Sequence, residues 1–269
     1  MTSSATDDPV VRTRSLGVAY GPIVALADVD LEIPAGTSVA VIGPNGSGKS
    51  TLLGTLSGLV RPTAGHVEVL GRTPQTARRR VAHVLQSTRA NESVPLTVGE
   101  AVRIGAYGRR GALRRLTAGD RRAIEEAIDR LRIGDLRTRQ LHELSGGQRQ
   151  RVYVAQGLAQ RARLLLLDEP ITGLDLVTQE TISQVVREEC DEGRTAIVTT
   201  HDVGTAALAD LVVVMATRLI AAGEPATVLR SEVLAEAYGG HLHELDDGGH
   251  VLDEPAPHDG HQRASDRPR

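Results

Sequence analysis

Gly43-Pro44-Asn45-Gly46-Ser47-Gly48-Lys49-Ser50 is the stretch on which the reading of this chain turns. Lysine and arginine together total 31 residues, and Lys49 is the only lysine among them. The surface has replaced lysine with arginine, yet this one position keeps it. The pattern G-x-x-x-x-G-K-[ST] is a phosphate-binding loop. Its glycines let backbone N–H groups close around phosphate oxygens. The slim ammonium of Lys49 reaches where a forked guanidinium would fit poorly. Ser50 supplies a hydroxyl suited to Mg²⁺.

Working outward, Thr37–Ile42 is a short apolar run of β-formers, and Leu52, Leu53 and Leu56 follow the loop at helical spacing. Strand, loop, helix is the context the motif needs, with the helix N-terminus facing an anion. Upstream, Val29, Leu31 and Ile33 alternate with Asp30 and Glu32 as a half-exposed strand, and Pro34-Ala35-Gly36 turns it. Downstream, Gly65–Leu70 and Val81–Leu85 read as strands. From Ser87 to Arg163 the character is helical. Thr97-Val98-Gly99-Glu100 is a capping box, and Ile124, Ala127, Ile128 and Leu131 share one helical face. Arg163–Asp168 is a continuous apolar run, as in a parallel strand buried on both faces. Thr195–Thr200 and Leu211–Met215 are further strands.

Two more patterns carry chemistry. Leu167-Asp168-Glu169-Pro170 places two carboxylates at the C-terminal end of a buried strand, where ligand crevices open in parallel sheets. Asp168 suits Mg²⁺ held through water, and Glu169 is placed to polarise an attacking water. Leu144-Ser145-Gly146-Gly147-Gln148 is a second capping box, whose two glycines expose the first N–H groups of a helix.

Together these motifs resemble the ABC ATPases over about residues 10–237. The resemblance implies an α/β fold: a P-loop NTPase core, mostly parallel sheet with an antiparallel β part, and an inserted helical subdomain carrying the LSGGQ signature. It divides the chain into a disordered N-terminus (1–9), an ATPase domain (10–238, helical insertion about 87–163) and a disordered tail (239–269). It implies ATP bound by Gly43, Pro44, Asn45, Gly46, Ser47, Gly48, Lys49, Ser50 and Thr51. Ser145, Gly146, Gly147 and Gln148 of a second subunit would cap the γ-phosphate in a head-to-tail homodimer, or a heterodimer with a paralogue. Tyr20, in Val18-Ala19-Tyr20-Gly21, resembles the aromatic that stacks on adenine. Gln86 resembles the glutamine that approaches Mg²⁺ beside Ser50 and Asp168 and relays to a membrane partner. Asp175, in Gly173-Leu174-Asp175, resembles the loop that couples the two sites. His201 resembles the switch histidine that contacts the γ-phosphate and orients Glu169.

The stretch Val94–Gly111, with its Pro-x-Thr-Val run and Gly-x-Tyr-Gly ending, looks like that of ATPases serving zinc/manganese-type metal importers. Ferric-siderophore and cobalamin importers share a related segment, and an exporter or a soluble iron–sulfur assembly ATPase would keep the same catalytic set. For an importer, the resemblance implies a permease contacting Gln86 and residues 94–111, and an extracytoplasmic solute-binding protein.

Composition bounds the rest. Phe and Trp are absent, so the core is aliphatic. A formal net charge of −3 gives no global attraction to nucleic acid. Local arginine runs at Arg78–Arg80, Arg109–Arg110, Arg114–Arg115 and Arg121–Arg122 read as solvated faces. The lone Cys190 supports neither a disulfide framework nor a zinc knuckle. The N-terminus lacks the basic and apolar regions of a signal peptide, and no run approaches a membrane span. The expected location is cytoplasmic, peripheral on the membrane through the permease. His241, His243, His250, His258 and His261 lie among carboxylates, but their irregular spacing reads as a solvated end.

Overall fold

The computed structural model describes residues 8–85, 95–111, 114–239, 242–244 and 250–252. Two sheets form its frame. In the first, β1 (Val11–Tyr20) lies between β2 (Ile23–Ile33) and β4 (Ala64–Val69), all antiparallel. In the second, β5 (Val81–Val84), β6 (Leu164–Leu167), β7 (Thr195–Thr199), β3 (Ser38–Ile42) and β8 (Leu211–Ala216) run parallel in that spatial order, and β9 (Arg218–Gly223) closes the edge antiparallel to β8.

The strands expected from the sequence are here, most with ends moved by a residue or so, but β2 begins six residues before the expected Val29, and β1 and β9 were not read from the sequence. The alternation in β2 is real: Val29, Leu31 and Ile33 are buried while Asp30 and Glu32 are exposed. The central parallel strands β3 and β6 are buried at every position, which is why they read as unbroken apolar runs.

Helix α1 (Lys49–Leu56) sits between the two sheets, with Leu52, Leu53 and Leu56 fully buried. The short α2 (Pro74–Ala77) leads into β5. A helical layer, α3 (Val98–Arg110), α4 (Ala118–Arg130) and α5 (Gly146–Ala159), packs with α6 (Leu176–Asp191) over the β5–β6–β7 end of the large sheet. On the β3–β8 side lie α7 (Val203–Ala206), α8 (Pro225–Val228) and α9 (Ser231–Tyr238).

Three capping boxes set the starts of the helical layer. Thr97 and Glu100 exchange bonds at α3, Ser145 and Gln148 at α5, and Thr117 and Asp120 at α4. The third was not read from sequence, because Asp stands where Glu or Gln is usual. Arg130 then clamps this layer to α6. It donates to Glu188 at 3.0 Å, to Glu189 at 2.5 Å and to the Val185 carbonyl at 3.3 Å. Glu189 is buried and also accepts from Arg194.

Of the segment after Gly239, residues 242–244 and 250–252 are described. β10 (Leu242–Glu244) pairs antiparallel with β11 (His250–Leu252), Leu242 opposite Leu252.

Candidate functional site

The strand order gathers the motifs. β5, β6, β7 and β3 are neighbours and parallel, so their C-terminal ends share one edge. From β6, β7 and β3 that edge leads to Asp168, to His201 and to the glycine-rich loop respectively. The Asp168 amide donates to the Val84 carbonyl at 2.9 Å, and the Thr200 amide to the Val41 carbonyl at 3.1 Å. The crevice that opens at the carboxyl ends of parallel strands is therefore built from these segments.

The loop itself is held from below. Lys49 is buried, and its Nζ donates to the carbonyls of Gly43 at 2.7 Å and Pro44 at 3.0 Å. The Ser47 carbonyl accepts from the Thr217 amide at 2.9 Å, and the Thr217 carbonyl accepts from the Ala27 amide at 2.8 Å. The loop is thus tied to both sheets. Gly48 has φ +94°, and a Cβ there would meet the Ala25 carbonyl at 2.5 Å, so only glycine fits. Among the described residues Ser47 Oγ is buried without a hydrogen-bond partner, while Ser50 at the start of α1 is exposed. A buried hydroxyl lacking a partner and a helix N-terminus suit a phosphate. From α9 the Tyr238 phenol is buried near the Gly43 backbone without making a hydrogen bond among the described residues, and burial pushes its pKa up to about 12. Nothing in the sequence pointed to that approach.

The acidic pair is organised by a residue the sequence reading passed over. Thr199, at the end of β7, donates its hydroxyl to Asp168 Oδ1 at 2.7 Å and accepts the Glu169 amide at 2.8 Å. Both Thr199 and Asp168 are buried. Glu169 adopts φ +46°, the left-handed region that a glutamate rarely enters. Asp168 Oδ2 makes no hydrogen bond to a described residue. An oxygen-only donor set of Asp168 and Ser50 fits a hard dication such as Mg²⁺. Beneath the pair, His83 on β5 places Nδ1 3.0 Å from Ser57 Oγ. Burial holds the His83 pKa below the ordinary imidazole value, with the Asp168 charge acting partly against it.

Of the remaining expected residues, Tyr20 ends β1 and is half exposed at the β1–β2 turn. His201 is exposed two residues beyond β7, just before Asp202 caps α7. Ser145 caps α5, leaving Gly146 and Gly147 in its first turn. Asp175 caps α6, accepting from the Thr178 amide at 2.9 Å and hydroxyl at 2.8 Å, and these bonds lower its pKa. A methyl group added at Gly147 would lie 3.2 Å from Asp175 Oδ2, so the signature turn and the Asp175 turn abut within one chain. Gln86 lies outside the described residues, as do His241, His258 and His261. Among the described residues no cluster of three or more His, Cys, Asp or Glu side chains is set to hold a metal.

A phosphate loop between β3 and α1, with an acidic pair ending β6, defines a nucleotide-binding α/β protein of the P-loop kind. Comparison with known proteins narrows this. The ABC transporter family profile matches residues 26–172. The zinc transport system ATP-binding protein TroB of Treponema pallidum is 39% identical, covering 86% of this chain and 88% of its own. The manganese transport system ATP-binding protein MntB of Bacillus subtilis is 35% identical, covering 88% and 95%. Among solved structures, the dimeric bacterial ABC transporter cassette MJ0796 is 27% identical with a TM-score of 0.71, covering 80% and 98%. The chain belongs to the ABC transporter family, as an ATP-binding ATPase. Among the described residues, no helix is long and apolar enough to cross a membrane.

Proposed function

We propose that this chain is the ATP-hydrolysing subunit that drives import of a divalent metal ion, zinc or manganese, through a separate membrane permease. The observation that carries the cargo is that relatives bearing zinc- and manganese-transport names match it over most of its length. Within Val94–Gly111, the segment whose sequence resembles metal-importer ATPases, α3 spans Val98–Arg110, and Ile104 on it exposes an apolar side chain that suits a partner, as does Leu85 just after β5. A solute-binding protein outside the membrane completes the system in this reading, and the subunit sits on the inner membrane face.

Residues 10–238 act as the ATPase domain, with the helical insertion carrying the signature. Tyr20 stacks on adenine. Gly43 through Thr51 cradle the phosphates, and Lys49 swings its ammonium from the Gly43 and Pro44 carbonyls toward the β- and γ-phosphates. Ser50, Gln86 and Asp168 would hold Mg²⁺, which when bound neutralises charge on the phosphate oxygens. Glu169 accepts a proton from the attacking water, and His201 orients Glu169 and the γ-phosphate. Ser145, Gly146, Gly147 and Gln148 act on the nucleotide of a second copy, so hydrolysis needs a dimer. Asp175 couples the two sites across that dimer, and the exposed Leu176 and Val177 beside it supply apolar contact surface.

The test is elemental content of cells lacking the protein, complemented with wild type or Lys49→Ala. Loss of zinc or manganese that only wild type restores supports the reading. Unchanged metals with intact ATPase activity overturn metal import alone. For the roles at the site, Glu169→Gln should bind ATP and stall as a closed dimer, and wild-type turnover in that variant overturns the assignment.

A further inference from the structure

Two arginines from the runs that read as solvated faces in the sequence, Arg115 and Arg121, line a concavity together with two others. Arg103 on α3, Arg115 before α4, Arg121 on α4 and Arg137 beyond it converge on one concavity of about 510 Å³. A cavity of this size is in the range of small-molecule sites. It lies in the helical layer, away from the glycine-rich loop.

Its charge is unbalanced. The one carboxylate in its lining, Glu125, is already held by Arg137 through two bonds of 2.6 and 2.7 Å. Arg121 gives one bond to the Leu116 carbonyl at 3.2 Å, leaving most of its donors unused. Arg103 and Arg115 make no hydrogen bond or ion pair with a described residue. Four arginines against one glutamate leave a net +3 among the lining residues, with Glu100 acting on Arg103 and Asp129 on Arg137 from outside the lining. Concave walls focus such a field on whatever enters. Guanidinium forks match phosphate oxygens in pairs. The rest of the lining is not polar: Tyr107 presents a half-buried ring, and Ile124 a buried aliphatic wall. Phosphate-reading rims beside an aromatic face and an apolar floor suit a ligand with a charged end and a flat body.

We propose that this concavity is a second anion site that takes a nucleoside phosphate, separate from the nucleotide on the glycine-rich loop. Arg103, Arg115 and Arg121 grip the phosphates, and Tyr107 faces the base. Because α3 and α4 both pack against α5, an occupant that bridges them bears on the helix that Ser145 caps.

The experiment is calorimetric titration of the full chain with ADP. Wild type should take two ADP per chain, the second event weakening as salt rises. The double variant Arg115→Ala, Arg121→Ala should keep one event and weaken the other at least tenfold. Lys49→Ala should lose the opposite one. Both arginines are exposed, so thermal melting should be unchanged, and Arg103→Gln provides an independent variant should the double variant fail to fold. A single ADP per chain in wild type, or two that survive in the arginine variants, overturns the proposal. Inorganic pyrophosphate binding in place of ADP at the arginine-dependent site overturns the nucleoside class in favour of a bare phosphate anion. Arginine-dependent binding to phosphatidylglycerol vesicles with no second ADP event overturns it in favour of a lipid headgroup. Two ADP per chain would stand even if the cargo proved not to be a metal, so the two readings fail separately.

Discussion

Thr199→Val removes one oxygen and keeps the shape of the side chain, so it isolates the hydroxyl that joins β6 to β7. In the structure that hydroxyl donates to the buried Asp168 carboxylate at 2.7 Å and accepts the Glu169 amide at 2.8 Å. A hydrogen bond to a charged group contributes about 1.5–3 kcal/mol and a neutral one about 0.5–1.5 kcal/mol. Both partners are left without this bond in the variant. The sum is a loss of about 2–4 kcal/mol, which for a chain of this size lowers Tm by roughly 5–15 °C. A second consequence is local. Glu169 sits at φ +46°, a conformation of the kind that costs on the order of 1–3 kcal/mol and persists only when its surroundings enforce it. Without the Thr199 acceptor its backbone relaxes and the carboxylate moves, so hydrolysis should fall by roughly 100-fold, within the range attributed to a general base. ATP affinity should hold, because the loop is anchored elsewhere. Thr199→Ser restores the hydroxyl and should recover both quantities. Melting by circular dichroism and steady-state phosphate release are the assays. A Val variant with wild-type Tm and wild-type turnover would refute the reasoning.

Gly105→Ala gains helix propensity of about 1 kcal/mol, yet its methyl would overlap the Gln156 carbonyl where α3 crosses α5; overpacking should win and lower stability by about 1 kcal/mol net, read by urea denaturation. Arg130→Ala leaves the buried Glu189 with Arg194 as its remaining partner, so a loss of about 2 kcal/mol is expected, less than for a buried charge left wholly alone. Arg130→Lys should recover only part of that loss, since one ammonium cannot serve Val185, Glu188 and Glu189 at once. His83 gives a pH dependence: its folded pKa lies below 6.5, so the unfolded chain binds the proton more readily, and stability contributed by neutral His83 is lost as pH falls below 6.5. Thermal melts across that window should show a smaller acid-side loss in His83→Gln, and an identical loss would dismiss the role.

The parts legible in the sequence are those with local rules. The glycine-rich loop needs Gly48 in a conformation other residues avoid, the capping boxes at Ser145 and Thr97 are four-residue patterns, and β3 and β6 announce their double burial by unbroken apolar runs. What escaped depends on distant pairings. Thr199 is one threonine among many until β7 lies beside β6, 31 positions from Asp168. Tyr238 comes near the Gly43 backbone only because α9 packs back against β8 and β9. Gly105 looks like a poor helix residue until α5 is seen against it, and the arginines of the helical layer look like a solvated face until two helices fold them toward one hollow.

These contacts divide the molecule into two parts with different determinants of geometry. The loop, Asp168 and Glu169 are positioned by strand pairing and by single hydrogen bonds through Thr199 and Thr217, which fix the residues proposed to act on a nucleotide bound to the same chain. The Ser145 turn is positioned by helix packing, through the Gly105 crossing and the Arg130 clamp, and abuts Asp175. If the signature acts on the nucleotide of a second copy, damage to the two parts should not look alike. A chain impaired at Thr199 should still lend a sound signature turn to a partner, whereas a chain impaired at Gly105 should still hydrolyse when given a partner with a sound one. Mixed dimers of Thr199→Val with Gly105→Ala should therefore form one composite site in which both defects meet and one in which neither does. Their turnover should approach half that of wild type, well above either homodimer. Turnover at the mean of the two homodimers would mean that each chain's signature serves its own loop, and turnover no better than the poorer homodimer would mean that the two sites cannot fire independently.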